Sequence, residues 1–468
     1  MDLKLNKLIG AKKSEFDSLI QAEKGIRLRR ARLIPTTKVG DELSLTSIFL
    51  SSLRLIDEFK RHIFKAVKLP LGGKMYVYTE VSFPAYEDSR IDGLIIIVKS
   101  GKITDAAILE MKNKNNELDA EQINRYIDVA KGLKIPKLIT VSNQFVSEPT
   151  QNPLNIKPPK SIQLYHLSWT YILTIAHLLM FNNNMNISDS DQENIMSEVI
   201  SYLESSVSGV IGVTQMRKGW DELTRAIYSG VSFKHTDEKV AEAVLSWHQQ
   251  ERDMGLALSR KVGVLVKTGF SKYRTDLKKR LSDDSKKLAS QNSLDSIMKI
   301  DGAVSDIAIK AVFDKKTIEM SVELAIPEDK TLRGQIGWLK RQIDKCRKQC
   351  EQIALSEDID YLFKRQLFID ANIKFAKSDH RVLAINIESL IEDLKGKDIN
   401  SIKVVLSKDF KSSFTSRKKF VSTIDNLLID FYRGFVEHLE SWKKPSPKVI
   451  EKVSFQQEDT YIDNPSDL

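Results

Sequence analysis

With 468 residues, of which 41% are hydrophobic and 29% charged, the chain has the balance of an ordinary globular protein and room for about three domains of roughly 150 residues each. Its net charge of +9 and pI near 9.1 suit a polyanionic partner such as nucleic acid. No run of about 18 apolar residues is present to cross a bilayer, and the first residues, Met-Asp-Leu-Lys-Leu, lack the apolar core of a signal peptide. The two cysteines, Cys346 and Cys350, stand one helical turn apart without a His or Cys cluster, which indicates neither a disulfide framework nor a zinc site and suits a reducing cytoplasm.

Taken in order, residues 3 to 32 are helix-prone and basic, ending in Arg27-Leu-Arg-Arg-Ala-Arg32, either an arm that contacts phosphates or a solvated helix face. One helix is expected over 43–67, with Ile48, Leu53, Ile56, Phe59 and Ile63 at helical spacing and Pro70 and Gly72-Gly73 beyond its end. Lys74 to Val81 reads as a strand that carries Glu80 near its end. Gly93 to Val98 is nearly all apolar, as in a central strand covered on both faces. Ser100-Gly101 is a turn, and Ile103 to Lys112 returns. A helix over 118–133 and a strand over 137–142 imply a right-handed crossover to a parallel pair. A strand at 162–167 and a helix at 170–180 complete an α/β unit.

The polar stretches 182–186 and 188–191 mark a boundary after this first domain, residues 1–180. A helical domain or linker is expected over 188–290, with helices near 191–206 and 214–228 and a long one from about Asp237 to Leu288. An α+β domain over 291–442 begins with a hairpin around Asp314-Lys-Lys316 and ends with a helix over 416–442, followed by a flexible tail over 443–468. Trp220, Trp247, Trp338 and Trp442 sit at helical positions and read as core, and the seven histidines show no ligand spacing.

The chemistry concentrates between Tyr78 and Phe145. A hard cation such as Mg²⁺ takes oxygen ligands, commonly one or two carboxylates with waters and substrate phosphate oxygens completing its shell. Asp92 and Glu110 are of that type. Lys112 lies two residues past Glu110, and alternate residues of a strand share a face, so its ammonium is placed to steady charge on a scissile phosphate. Glu110-Met-Lys112, with Asp92 on the preceding strand, resembles the PD-(D/E)xK superfamily of restriction-endonuclease-like nucleases over roughly residues 45 to 180. The proline of that name is absent, since Ile91 precedes Asp92. Gln122-Ile-Asn-Arg-Tyr126 on the next helix matches the Q-x-x-x-Y motif of the RecB-like branch.

The resemblance implies a mixed central sheet flanked by helices and an Mg²⁺-dependent deoxyribonuclease, with Mn²⁺ as a substitute. It implies catalytic roles for Asp92, Glu110, Lys112, Gln122 and Tyr126, the last two on the substrate side or orienting the lysine. Glu80 is a further metal ligand or merely the ion-pair partner of Arg90. Regular pairing through a two-residue turn at Ser100-Gly101 would put Glu110 on the sheet face opposite Asp92, so either an odd loop or a bulge near Gly93 is required. Arg260, Lys261, Lys267, Lys272, Arg274, Lys278, Lys279 and Arg280 form a candidate nucleic-acid face on the long helix, the alternative being a solvated side. On this reading the C-terminal region positions DNA or assembles subunits or a protein partner for the nuclease, in a defence or restriction role by analogy. The competing reading is a nucleic-acid-binding or assembly protein that keeps the fold without turnover.

Overall fold

The computed structural model describes residues 7–22, 25–30, 41–86, 89–114, 116–146, 148–154, 156–180, 187–273, 276–353 and 358–442. The chain is of the α/β class, with one mixed and one antiparallel sheet among the described residues.

The first sheet runs in chain order: β1 (Arg27–Arg30), β2 (Lys74–Ser82), β3 (Arg90–Lys99), β4 (Lys102–Met111), β5 (Lys137–Ser142) and β6 (Gln163–Ser168). The first four strands pair antiparallel, and β4, β5 and β6 pair parallel. One face is covered by α1 (Lys13–Gln21) and α4 (Ala120–Gly132), which bury Phe16, Ile123 and Ile127 against Leu94, Ile96 and Ile108. The opposite face is covered by α2 (Glu42–Leu55), α3 (Asp57–Ala66), α5 (Trp169–Met180) and α6 (Ser190–Glu204), through Leu50, Phe59, Trp169 and Met196 over Ile95, Leu109 and Ile139. Both faces of β3 from Gly93 to Val98 and of β4 from Ala106 to Met111 are therefore shut from water, which is why these stretches read as apolar runs.

Two expectations for this half change. The basic segment that starts at Arg27 is an edge strand on β2 rather than a helix. The single helix over 43–67 is two, α2 and α3, parted at Ile56, whose extended backbone (φ −125°, ψ 107°) drives its fully buried side chain inward. Asn182–Asn186, the tail and Arg32 lie outside the described residues.

In the second half, α7 (Lys218–Tyr228) and α8 (Glu238–Val262) precede β7 (Lys267–Thr268), α9 (Leu277–Gln291), β8 (Ser293–Lys299), β9 (Ile307–Val312) and β10 (Thr317–Leu324). After α10 (Leu332–Gln352) come β11 (Leu367–Ile373), β12 (His380–Leu383), β13 (Ile399–Asp409) and the helix Arg417–Phe431. The strands form one antiparallel sheet in the order β12-β11-β13-β10-β9-β8-β7. A continuous core from Met216 to Leu439 joins α7 and α8 to this sheet; in it Trp220 stacks near Trp247, with ring centroids 6.1 Å apart, and both are fully buried. The boundaries expected near 188 and 290 therefore do not coincide with the cores. Helix α6 and the segment through Val210 pack on the first body, while α7, α8 and α9 pack into the second.

The long helix expected over 237–288 is likewise divided. Helix α8 stops at Gly263 in the left-handed region (φ 73°), the conformation glycine adopts without Cβ strain. A short strand and a loop intervene before α9. Cys346 and Cys350 are buried free thiols, pushed up to about 12 and about 11 by burial. Among the described residues no helix is long and apolar enough to cross a membrane.

Candidate active site

The site is built by the register of β3 against β4. The hairpin turn at Ser100-Gly101 has two residues, both with positive φ (48° and 71°), the twist that suits a tight hairpin. Lys99 faces Lys102 and Val98 faces Ile103, but Ile97 faces Asp105. Thr104 is thus an extra residue, bulged out just beyond the turn, with its hydroxyl donating to the Ile97 carbonyl at 3.3 Å. From there the pairing runs to Gly93 against Leu109, so Asp92 and Glu110 come next, opposite each other and on the face that α4 covers. The bulge required by parity is present, at Thr104 rather than near Gly93.

Two carboxylates are now adjacent in a buried place. Asp92 Oδ2 accepts a hydrogen bond from Met111 N at 2.8 Å. Glu110 is 0% exposed, and neither of its oxygens has a well-aligned hydrogen bond among the described residues. Lys112 Nζ lies 2.8 Å from Glu110 Oε1, an ion pair by proximity. Burial first, and then the Glu110 charge, push the Asp92 carboxyl up to about 8, against the opposing pull of the Met111 amide and Lys112. Burial would lower the Lys112 pKa, but Glu110, Glu42 and Asp92 together raise it, so the ammonium stays charged.

Helix α4, capped by Asp119 accepting from Glu121 N at 3.1 Å, brings the remaining motif residues. The Tyr126 hydroxyl donates to the Arg90 carbonyl, and Gln122 Nε2 reaches that hydroxyl at 3.5 Å. Burial, followed by the nearby Glu110 and Asp92 charges, raises the Tyr126 pKa well above its ordinary value, so the phenol remains a donor at the edge of the acidic pair. The Lys112 ammonium is held by Glu110 and, at 3.9 Å, by Glu42; Gln122 and Tyr126 are not its orienting partners.

Glu80 takes the blander of its two readings. It sits in the left-handed region (φ 55°) opposite the irregularity between Arg27 and Arg29, and its carboxylate pairs with Arg90 at 3.0 Å. It does not join Asp92 and Glu110 as a third acid, and among the described residues no three His, Cys, Asp or Glu side chains converge as a ready-made cage. The acidic pair nonetheless fits a hard cation, because two adjacent carboxylates repel when both are charged and Glu110 Oε2 has neither hydrogen bond nor ion pair among the described residues.

Two neighbours escaped sequence reasoning. Glu42, at the start of α2, accepts from Asn113 N at 3.3 Å and Asn116 Nδ2 at 2.6 Å as well as facing Lys112; its one signal is an acid at the first turn of a core helix. Trp169 Nε1 donates to the Lys112 carbonyl at 2.9 Å, an interaction with no signal at all in the sequence.

The basic face divides. Arg280 is buried, with Nη2 2.5 Å from Glu251 Oε2 and Nε 3.4 Å from Asp284, so it is an internal ion pair and not a phosphate ligand. Arg260 turns inward as well, Nη1 donating to Thr174 Oγ1 of α5 at 2.9 Å, and burial lowers its pKa in spite of Asp253, Glu204 and Asp425. Lys261, Lys267, Lys272, Lys278 and Lys279 are exposed, but on α8, β7, the following loop and α9 rather than on one helix. Arg274 lies outside the described residues. Compared with protein-family models, curated proteins and solved structures, the chain matches none.

Proposed function

We propose that the chain is a metal-dependent nuclease that hydrolyses DNA phosphodiester bonds, with Asp92, Glu110 and Lys112 as its catalytic group, as the resemblance to PD-(D/E)xK nucleases implies. The observation that carries the reading is the placement of Asp92 opposite Glu110, produced by the Thr104 bulge, with Lys112 beside them. Asp92 and Glu110 would hold Mg²⁺ or Mn²⁺. When bound, the cation supplies Lewis-acid polarisation of the phosphate and a more acidic water.

The chain's own groups do the rest. Lys112, kept charged by three acids, holds positive charge where negative charge grows on the phosphate. It donates and does not act as a base. Tyr126, anchored on Arg90, fixes α4 against the end of β3. Trp169 locks the Lys112 backbone through its carbonyl, which limits drift of the ammonium.

The test is incubation of purified protein with supercoiled, linear and single-stranded DNA and with RNA, in Mg²⁺, Mn²⁺ or EDTA. Cleavage in the metal arms is expected to fall by about a hundredfold or more in Glu110→Ala and Lys112→Ala. Undiminished cleavage by Glu110→Ala sinks the assignment. DNA binding without cleavage in every metal would leave a binding or assembly protein.

A further inference from the structure

Between the two bodies lies a cavity of about 210 Å³, far more than the roughly 10–15 Å³ that a single water needs. Its wall from the first body includes Glu148, Pro149 and Tyr171; the second body supplies Arg252, the loop Val266–Ser271, Arg280 and Lys299.

Three features of this wall point to a ligand. The Arg252 guanidinium is partly buried yet makes no hydrogen bond or ion pair among the described residues; it lies over the Tyr171 ring, 5.8 Å from the centroid. Burial lowers its pKa, against the opposing pull of Tyr171, Glu148 and Glu251. A guanidinium is effectively always charged, and one that lines a cavity, half-buried and without a bonded anion, has its fork of donors open to an anionic ligand. The Tyr171 hydroxyl, in the same cavity, also makes no hydrogen bond among the described residues, although the Tyr171 backbone N–H donates to Ser168. The neighbouring Arg280 shows what a satisfied arginine looks like here, being committed to Glu251 and Asp284. Phe270, held edge-on to Tyr273 at 6.4 Å, lends an aromatic wall. Lys299 stands at the rim, 3.8 Å from Asp306 and 3.2 Å from Ser271 Oγ.

We propose that this cleft binds a phosphate group joined to an aromatic base, the phosphate taken by Arg252 and the Tyr171 hydroxyl and the base lying against Phe270. Arginine is suited to phosphate by its planar fork of donors, and an aromatic ring offers a stacking surface to any base. Either a free nucleotide or the phosphorylated end of a nucleic-acid strand presents this chemistry. Such a ligand touches both bodies at once. Tyr171 is two residues from Trp169, which bonds the Lys112 carbonyl, so an occupant that shifts the start of α5 acts on the candidate active site.

The experiment is calorimetric titration of the full chain in EDTA, which keeps cations from Asp92 and Glu110 and makes binding, not cleavage, the readout. The probes are inorganic phosphate, ATP, and one short single strand with either a 5′-phosphate or a 5′-hydroxyl. Binding of ATP, of the phosphorylated strand, or of both is expected, with ATP alone identifying a free nucleotide and the phosphorylated strand alone a strand end. Arg252→Ala is expected to weaken it about tenfold or more, as for loss of a charge-assisted hydrogen bond, and Arg252→Lys to restore part of it. If Arg252→Ala does not fold, Tyr171→Phe and Lys299→Glu read the same site. The proposal is overturned if neither ATP nor the phosphorylated strand binds, if the two strands bind alike and ATP does not, or if these variants bind as the parent does.

Discussion

At the scale of single residues, the site is a place where stability is given up. Asp92 and Glu110 are driven together in a buried spot, and Asp92 is pushed up to about 8 by burial and by the Glu110 charge. Near neutral pH without a cation, the folded chain holds a proton on Asp92 that the unfolded chain releases, a cost that an amide at this position does not carry. Asp92→Asn is therefore expected to melt about 2 °C or more above the parent in EDTA while losing cleavage in Mg²⁺. A lower melting temperature in EDTA, followed by calorimetry, would mean that the pair is not strained. Asp92 and Glu110 were identifiable as residues because a carboxylate inside an apolar strand has no ordinary reason to be there. Glu42 was not, because an acid in the first turn of a helix has such a reason in the helix dipole.

At the scale of elements, the decisive object is one extra residue. Without the bulge at Thr104, Glu110 would face α2 and α5 instead of α4, since a shift of one residue exchanges the faces of a strand. Deletion of Thr104 is expected to abolish cleavage and lower the melting temperature, because it turns Glu110 into the opposite core. Thr104→Ala keeps the bulge, removes only the 3.3 Å hydrogen bond to Ile97, and is expected to retain both properties. Equal behaviour of the deletion and the substitution, in cleavage and in circular-dichroism melts, would show that the bulge does not set the site.

At the scale of the whole molecule, two features join or extend the bodies. The connection enters the second body at Val213, whose N–H donates to Asp253 Oδ2 at 2.6 Å. Nearby, Gln250 Nε2 donates to Asp425 Oδ1 at 2.7 Å. Burial raises Asp253 to about 6, and burial followed by the Asp253 charge raises Asp425 to about 7. Between the ordinary carboxyl range and these values the folded chain holds protons that the unfolded chain has released, so stability falls as pH rises. From the Asp425 shift, the loss between pH 5 and pH 8 is on the order of 2–3 kcal/mol. Denaturant melts across that range are expected to show it, and Asp425→Asn to make the fall shallower while Asp92 and Asp253 go on titrating in the same window; an unchanged slope in the variant would place the titration elsewhere.

The exposed lysines belong to this scale too. Reversal of Lys272, Lys278 and Lys279 to Glu is expected to weaken DNA binding and reduce the log-log salt slope by about 0.9 for each duplex phosphate that is no longer neutralised. Unaltered binding would make them a solvated surface, and Arg260 and Arg280 should be left out of such a variant because they hold the fold.

The sequence by itself determined the apolar strands β3 and β4, the turn between them, the Glu110-Met-Lys112 strand end and the helix carrying Gln122 and Tyr126, because period and turn chemistry are local properties. Tertiary structure alone decided the rest. It decided which face Glu110 occupies, through an unpaired Thr104; that Trp169 and Glu42 reach Lys112 from distant segments; and that α8 joins the second sheet instead of forming a helical domain. It also separated Arg260 and Arg280 from the lysines around them. A run of basic residues records charge but not what packs against each side chain, and a guanidinium facing Glu251 reads in the sequence the same as one facing water.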